Sequence, residues 1–293
     1  MTIVDHSTSS LATLTAALEP HRIRQSQVAL VRQIHYSSAF STVWLGQYDN
    51  TRVAVRRILP DDAGSFAMQA KEILILSSLH CPNIVTFVGA MWSSPSVDLA
   101  LVTEFMDGGN LSALLDDPSV PLDWANDKTS LALDIARALA YIHGLSLLHR
   151  DVKARNVLLT STRVAKLSDF GLSRVRSKLT RHMTMGVGTL RWIAPEVMTS
   201  ESYTELCDVY SFGVVLAELD TRGLALTEPD GNLSVADLVA TGGLRPTFSS
   251  SCPPSVWHIA DACLQVDPTR RPKSAVVVEM LVAAKTAQQH LTL

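Results

Sequence analysis

The motif HRDVKARN, at residues 149–156, is followed by DFG at 169–171 and by APE at 194–196. Short apolar runs at 157–159 and 164–167 flank the first two motifs, so each is predicted to lie in a loop beside a strand. A tripeptide such as DFG occurs by chance in many proteins. Three motifs in this order and at these spacings form a much more specific signal, and they guide the interpretation of the rest of the chain.

The sequence before these motifs predicts a small β-rich unit. Three β-branched runs separated by turn residues are expected to form an antiparallel meander: 28–34, 42–47 and 52–58. Apolar residues then recur at helical spacing over 65–79. Two further strand-like runs cover 84–88 and 99–103.

After Gly108 and Gly109 the pattern becomes helical. Proline-containing breaks separate segments with helical periodicity: 130–143, 204–219, 234–239, 255–264 and 274–284. We therefore predict an α+β fold of two lobes. The expected divisions are a loosely attached, partly helical N-terminal extension at 1–27, a β-rich lobe at 28–105, a helical lobe at 106–285 and a C-terminal tail at 286–293.

Composition and charge limit the class of protein. The 293 residues include 25 Lys and Arg against 28 Asp and Glu, which gives a formal net charge of −3, and 47% are hydrophobic. This balance is typical of a globular protein and argues against binding nucleic acid or a membrane surface by charge. The four cysteines are far apart in sequence, which favours free thiols in a cytoplasmic, intracellular protein. No apolar run approaches the roughly 20 residues that span a bilayer, so no transmembrane segment is expected.

With its three motifs the chain resembles the eukaryotic protein kinases over about residues 28–285. The segment GTLRWIAPE at 188–196, together with Lys153, is similar to the tyrosine-kinase-like group of serine/threonine kinases. The resemblance implies a bilobal kinase fold, ATP and Mg²⁺ as cofactors, and a protein substrate or signalling partner. The implied activity is transfer of the ATP γ-phosphate to serine or threonine in intracellular signalling.

The resemblance also implies the catalytic residues. By motif position, Asp151 accepts the proton of the substrate hydroxyl and Lys153 reaches the transferred phosphoryl group. Asn156 and Asp169 carry the hard oxygen ligands that Mg²⁺ prefers. Phosphoryl transfer depends mainly on positioning and charge neutralisation, so these residue types suit the reaction. His149 is expected to be structural.

The implied ATP-binding residues lie earlier in the chain. Glu72 occupies the position of the family's ion-pairing glutamate. Thr103 occupies that of the gatekeeper, and Glu104 and Met106 would offer backbone groups to adenine. The other implied positions are Tyr36, Ser38, Ser41, Val43, Ala54 and Arg56.

Two further expectations concern the larger lobe. Arg150 resembles the arginine of kinases whose activation segment is tuned by phosphorylation, since a guanidinium binds phosphate through two hydrogen bonds. Candidate acceptors in that segment are Ser173, Ser177, Thr180 and Thr184. Glu196 and Arg271 match a buried ion pair of the family, with a structural role.

Two features depart from the family pattern, and both concern ATP. Tyr36, Ser38 and Ser41 stand where the phosphate-covering loop has glycines, and a side chain forced to positive φ costs on the order of 1–2 kcal/mol. Arg56 ends the motif VAVR, in which the family has lysine, and a planar guanidinium places its charge differently from an ammonium. Arg57 is expected to point to the opposite face of the strand, so it is a poor replacement for that lysine.

These observations leave two functions open. The first is a serine/threonine kinase that binds Mg·ATP and transfers phosphate slowly. The alternative is a catalytically impaired pseudokinase that acts as a docking or scaffold module. The complete catalytic and metal-binding motifs favour the first function, and the altered ATP-binding residues favour the second.

Overall fold

A computed structural model describes residues 11–38, 41–58, 63–175, 187–199, 203–223, 235–241, 243 and 245–291. These residues form two units, each with its own apolar core. Unit 1 extends as far as Asp107 and also contains Asp169–Gly171. Unit 2 contains Gly108–Ser168 and the chain from Leu172 onward.

Unit 1 contains a five-stranded antiparallel sheet with the strand order β1-β2-β3-β5-β4. Its strands are β1 (Val28–Ser38), β2 (Ser41–Tyr48), β3 (Thr51–Ile58), β4 (Phe87–Met91) and β5 (Ala100–Glu104). Successive side chains of β3 point to opposite faces, so Val53 and Val55 are fully buried whereas Arg56 is only partly buried. The register places Arg56 opposite Val43 of β2.

Helix α2 (Ala63–Ser77) follows β3, as the helical spacing predicts. Its apolar residues recur every three or four positions and are buried: Phe66, Ala70, Ile73 and Leu76. Glu72 lies on the same helix and is only 3% exposed. The helix therefore fixes an acidic side chain inside unit 1.

The residues before β1 also belong to unit 1. Helix α1 (Leu11–Leu18) packs against α2, and both Leu14 and Leu18 are buried. The expectation of a loosely attached extension is wrong for the described residues 11–27, because the buried leucines of α1 join the core of this unit. A short helix α3 (Pro95–Asp98) connects β4 to β5.

Unit 2 is mainly helical. Its helices are α4 (Leu111–Asp116), α5 (Asp127–Gly144), α6 (Pro195–Thr199), α7 (Leu206–Thr221), α8 (Val235–Ala240), α9 (Pro254–Cys263) and α10 (Ser274–Leu291). Two short antiparallel pairs accompany them: β6 (Leu147–Leu148) with β9 (Arg174–Val175), and β7 (Val157–Leu159) with β8 (Ala165–Leu167). All residues of α7 from Cys207 to Asp220 are buried, so this helix lies inside the unit. Within the described residues, no helix is both long and apolar enough to cross a membrane.

Several boundaries differ from the predicted ones. The division between the units falls after Asp107 rather than after residue 105. Helix α10 continues to Leu291, past the boundary predicted at residue 285. Strand β4 begins at Phe87 and not at the predicted residue 84. Ile84 and Val85 precede the strand and are buried in the core.

Candidate active site

Three charged residues meet inside unit 1: Arg56 on β3, Glu72 on α2 and Asp169 at the start of DFG. Arg56 forms an ion pair with Glu72, and its Nη1 atom lies 3.7 Å from Oδ1 of Asp169. The side chain of Glu72 is 4% exposed, whereas that of Asp169 is 45% exposed. The guanidinium of Arg56 therefore interacts with a buried carboxylate and with a partly exposed one.

Burial and charge act in opposite directions on this cluster. Burial raises the pKa of Glu72, and the charge of Arg56 opposes that rise. Burial works to lower the pKa of Arg56, but the charges of Glu72 and Asp169 raise that pKa above its ordinary value. Arg56 therefore stays protonated and retains the positive charge that the family's lysine supplies.

The residues that replace the loop glycines lie in the paired strands β1 and β2, with a register shift between Tyr36 and Ser38. Tyr36 and Ser38 belong to β1, which pairs with β2 at Tyr36–Thr42 and at Ser38–Ser41. Among the described residues with positive φ, none is Tyr36, Ser38 or Ser41. The expected cost of a side chain at positive φ is therefore wrong for these positions, because both strands stay extended up to the connection at residues 39 and 40. That connection is outside the described part of the chain.

The residues expected to bind adenine lie at the end of β5 and just beyond it. Thr103 is opposite Ala54 in the register of β5 and β3, and both are partly buried. The Glu104 N–H donates to the Thr86 carbonyl at 3.0 Å, and the Glu104 carbonyl accepts from Thr103 Oγ1 at 3.2 Å. A hydrogen bond from adenine to this carbonyl would therefore be an additional one. Met106, three residues after Thr103, is buried.

The catalytic motif of unit 2 forms a hydrogen-bonded group around Asp151. Lys153 Nζ donates to Asp151 Oδ1 at 2.8 Å, and Asn156 Nδ2 donates to Asp151 Oδ2 at 2.7 Å. A further bond from Asn156 Nδ2 reaches the Asp151 carbonyl at 2.9 Å. Each carboxylate oxygen of Asp151 therefore has a donor, which fixes its orientation. The structure thus brings together three of the residues assigned to catalysis and metal binding.

Asp208, on the buried helix α7, holds the beginning of this motif. Its carboxylate accepts the N–H groups of His149 and Arg150, both at 2.8 Å, and a bond from His143 Nε2 at 3.0 Å. Burial works to raise the pKa of Asp208, but the hydrogen bonds that it accepts from His143 and His149 lower it overall. Arg150 has a φ of 72°, a costly conformation for a non-glycine residue. The bond from its N–H to Asp208 helps to stabilise that backbone.

His149 connects the catalytic motif to the residue before DFG. It is fully buried, and its Nε2 atom lies 3.0 Å from the Ser168 carbonyl oxygen. The Asp151 N–H donates to its Nδ1 atom at 3.3 Å. These contacts use both ring nitrogens within the fold, which suits the structural role expected from the sequence.

Glu218 contacts the same motif, and no sequence argument pointed to it. Ala154 N–H and Trp192 Nε1 both donate to Glu218 Oε2, at 3.2 and 2.9 Å. Burial is the larger influence, however, and raises the pKa of Glu218 to about 7. The sequence feature that could have indicated this role is that Glu218 is the one acid within the apolar run VVLAEL of α7. A charged group in a buried helix requires hydrogen-bonding or ionic partners.

The side chain of Arg150 lies beside the segment after DFG. Its Nη1 atom donates to the Leu172 carbonyl at 3.3 Å, and its guanidinium carbon lies 5.7 Å from the centre of the Tyr203 ring. Ser173 is 1% exposed, so the expectation that it is an exposed phosphate acceptor is wrong. The other three candidate acceptors, Ser177, Thr180 and Thr184, lie outside the described residues.

The candidate metal ligands fit Mg²⁺ chemically. Because Asn156 Nδ2 is bound to Asp151, the amide oxygen of Asn156 is the atom that could coordinate a cation. The partly exposed carboxylate of Asp169 supplies oxygen ligands of the kind that Mg²⁺ prefers. In the part of the chain that the structure describes, no three His, Cys, Asp or Glu side chains could hold a metal ion together. The remaining ligands of a bound Mg²⁺ would come from water or from a nucleotide.

Comparisons with known proteins agree with these motifs. The sequence model of the family described as protein tyrosine and serine/threonine kinase matches residues 30–281. The serine/threonine/tyrosine-protein kinase HT1 of Arabidopsis thaliana is 35% identical over 253 residues, which are 84% of this chain and 63% of HT1. The serine/threonine-protein kinase CTR1 of the same plant is 34% identical over 254 residues, which are 84% of this chain and 30% of CTR1.

A further relative is a probable serine/threonine-protein kinase of Dictyostelium discoideum, 35% identical over 245 residues. These residues are 83% of this chain and 26% of that relative, so the chain spans about a quarter of its length. The family match extends over most of the chain and includes the catalytic motif, DFG and APE. This chain therefore belongs to the protein tyrosine and serine/threonine kinase family.

Proposed function

We propose that this chain transfers the γ-phosphate of ATP to serine or threonine in a protein substrate, as part of signalling in the cytoplasm. The observation that carries the proposal is the Asp151 carboxylate, whose two oxygens are held by Lys153 and Asn156. A fixed carboxylate suits a reaction in which positioning supplies much of the rate. The names of the relatives and the four free cysteines are consistent with this proposal.

In the proposed reaction Asp151 accepts the proton of the substrate hydroxyl. The hydroxyl oxygen forms a bond to the γ-phosphorus of ATP, the bond from that phosphorus to the β,γ-bridging oxygen breaks, and ADP leaves. Lys153, which donates to Asp151, places a positive charge beside the transferred group. Mg²⁺ bound to Asn156 and Asp169 would neutralise charge on the phosphates.

The nucleotide would be held by residues of unit 1. Arg56, oriented by its ion pair with Glu72, would contact the phosphates. The other proposed ATP-binding positions are Tyr36, Ser38, Ser41, Val43, Ala54, Thr103, Glu104 and Met106. Because Tyr36 and Ser38 continue a paired strand, they would cover the phosphates without the backbone strain that their residue types suggested.

A docking module without phosphate transfer is the second candidate. The position of Arg56 favours it, because the guanidinium interacts with Asp169 as well as with Glu72 and so competes with a cation for that carboxylate. This candidate predicts a folded protein that binds partners through its surface and does not consume ATP.

Labelled γ-phosphate distinguishes the two candidates. The chain is incubated with labelled Mg·ATP and a generic acceptor protein, and the modified amino acids are identified after hydrolysis. We expect phosphoserine or phosphothreonine, and no label when EDTA removes Mg²⁺. Label found only on tyrosine would contradict the proposed acceptor, and no label on a folded protein would favour the docking module.

A further inference from the structure

Residues 11–27, here called the N-terminal arm, precede the region of similarity to the family, which begins at residue 30. The arm is nevertheless part of the core of unit 1. Leu14 is 1% exposed and Leu18 is fully buried, and the helix that carries them packs against α2. Because α2 also carries Glu72, the arm contacts the helix that supplies one half of the ion pair with Arg56.

The arm also contacts the end of α2. The His21 Nε2 atom lies 3.4 Å from Oγ of Ser77, the last residue of that helix. The His21 ring packs edge-on against Phe87 of β4, with 5.5 Å between the ring centres. One histidine of the arm therefore connects α2 to the outer strand of the sheet.

Beyond His21 the arm pairs with β4 itself. Ile23 N–H donates to the Ala90 carbonyl at 2.8 Å, and the side chain of Ile23 enters the core of the sheet. Gly89 provides the necessary space, since a Cβ there would lie 2.3 Å from Cδ1 of Ile23. Arg22 stacks on Trp92 with its guanidinium carbon 4.8 Å from the ring centre and donates to the Trp92 carbonyl at 3.3 Å.

We propose that the N-terminal arm holds α2 in the position that keeps Glu72 paired with Arg56, so that Leu18 and Ile23 are positioning residues for nucleotide binding. The inference rests on the proposed function for its nucleotide role. Its structural basis is that the arm is anchored at two elements. Helix α1 of the arm packs against α2, and Ile23 of its extended segment is hydrogen-bonded to Ala90 of β4. The docked arm coexists with an intact ion pair between Arg56 and Glu72, which is the arrangement that the proposal requires.

The test uses the full chain and two independent arm variants. Leu18→Ala opens a cavity under α1, and Ile23→Pro removes the N–H that donates to Ala90. The matched control is Leu281→Ala, because Leu281 is also fully buried but lies on α10 in unit 2. For each folded variant, amide hydrogen exchange of residues 63–77 is measured without nucleotide, and the dissociation constant of Mg·ATP is measured separately.

We expect both arm variants to accelerate exchange in residues 63–77 and to weaken Mg·ATP binding by about tenfold, whereas Leu281→Ala changes neither. In a chain that already carries Glu72→Gln, Leu18→Ala should weaken binding no further, because the pair it supports is gone. Unchanged exchange in α2, or tighter nucleotide binding by the arm variants, would overturn the inference. A wild type that binds Mg·ATP but transfers no phosphate would contradict the proposed function alone, since exchange and binding still decide the role of the arm.

Discussion

At the scale of single residues, Arg56 is the clearest departure from the family pattern in the proposed nucleotide site. Its planar guanidinium interacts with two carboxylates, those of Glu72 and Asp169. Their negative charges raise its pKa and so keep it protonated. A lysine would present a compact ammonium on a more flexible stem, with its charge at a different point. Because about 1 Å of misplacement costs roughly 100-fold in rate, this single replacement is expected to slow phosphate transfer.

The substitution Arg56→Lys should therefore increase activity. We expect kcat/KM for ATP to rise by about tenfold or more, because an ammonium would release Asp169 and contact the phosphates directly. The measurement is the initial rate of phosphate transfer against ATP concentration. Arg57→Lys, the same change on the adjacent residue of β3, is the control and should leave the rate unchanged. No difference between wild type and Arg56→Lys would indicate that the site is not used for transfer.

Glu218 makes the stability of the protein depend on pH. Burial raises its pKa from an ordinary 4.5 to about 7, so the folded state binds a proton more tightly than the unfolded state does. Its contribution to stability is therefore complete below pH 4.5 and is lost as pH rises through about 7. Glu218→Gln removes the titration, while an amide oxygen can still accept from Ala154 and Trp192.

We expect Glu218→Gln to gain about 2–3 kcal/mol of unfolding free energy relative to wild type between pH 5 and pH 8. Denaturant unfolding of both proteins at a series of pH values measures this difference. Glu279→Gln, on the exposed surface of α10, is the control and should show no such trend. A difference that stays constant with pH would contradict the assigned pKa.

At the scale of elements, a single arginine joins several segments of unit 2. The side chain of Arg271 is fully buried and donates two hydrogen bonds to the Glu196 carboxylate, with Nη1–Oε1 and Nη2–Oε2 distances of 2.6 and 2.8 Å. It also donates to the carbonyls of Gln265, Leu206 and Val266. The ion pair expected from the sequence is thus present, and it connects α6, α7 and the chain after α9.

Arg271→Lys should destabilise the protein by about 3 kcal/mol, because an ammonium cannot make two parallel bonds to a carboxylate and leaves buried carbonyls without donors. Thermal or denaturant unfolding checks the value. Arg270→Lys is the matched control, since Arg270 is adjacent but exposed, and it should change stability by less than about 0.5 kcal/mol. A similar loss for both variants would contradict the role given to the buried pair.

Periodicity predicted the elements around the site because their own side chains define an inward face. Strand β3 and helix α2 were found close to their predicted bounds, since Val53, Val55 and the apolar positions of α2 are buried as their spacing requires. The docking of α1 could not be predicted in the same way, because an amphipathic helix does not specify its partner surface. The hydrogen bonds from the catalytic motif to Asp208 and Glu218 could not be predicted either, because they join residues that are far apart in sequence.

At the scale of the molecule, each unit contains its own connected set of the residues proposed to act in phosphate transfer. Unit 1 contains Arg56, Glu72 and Asp169, and unit 2 contains Asp151 and its donors. Each set is internally connected by ion pairs or hydrogen bonds. The family match and the fixed orientation of Asp151 support an active enzyme despite the changes at Arg56 and at the loop glycines.

The most direct test of this account is the rate of γ-phosphate transfer under saturating Mg·ATP by the wild type and by Asp151→Asn, purified in parallel. Asparagine preserves the shape of the side chain but cannot accept the proton of the substrate hydroxyl. We predict measurable transfer by the wild type and a decrease of about 10²–10⁴-fold in the variant, the range expected for the loss of a general base. Equal background rates from two folded proteins would contradict the account and leave a kinase-shaped docking module.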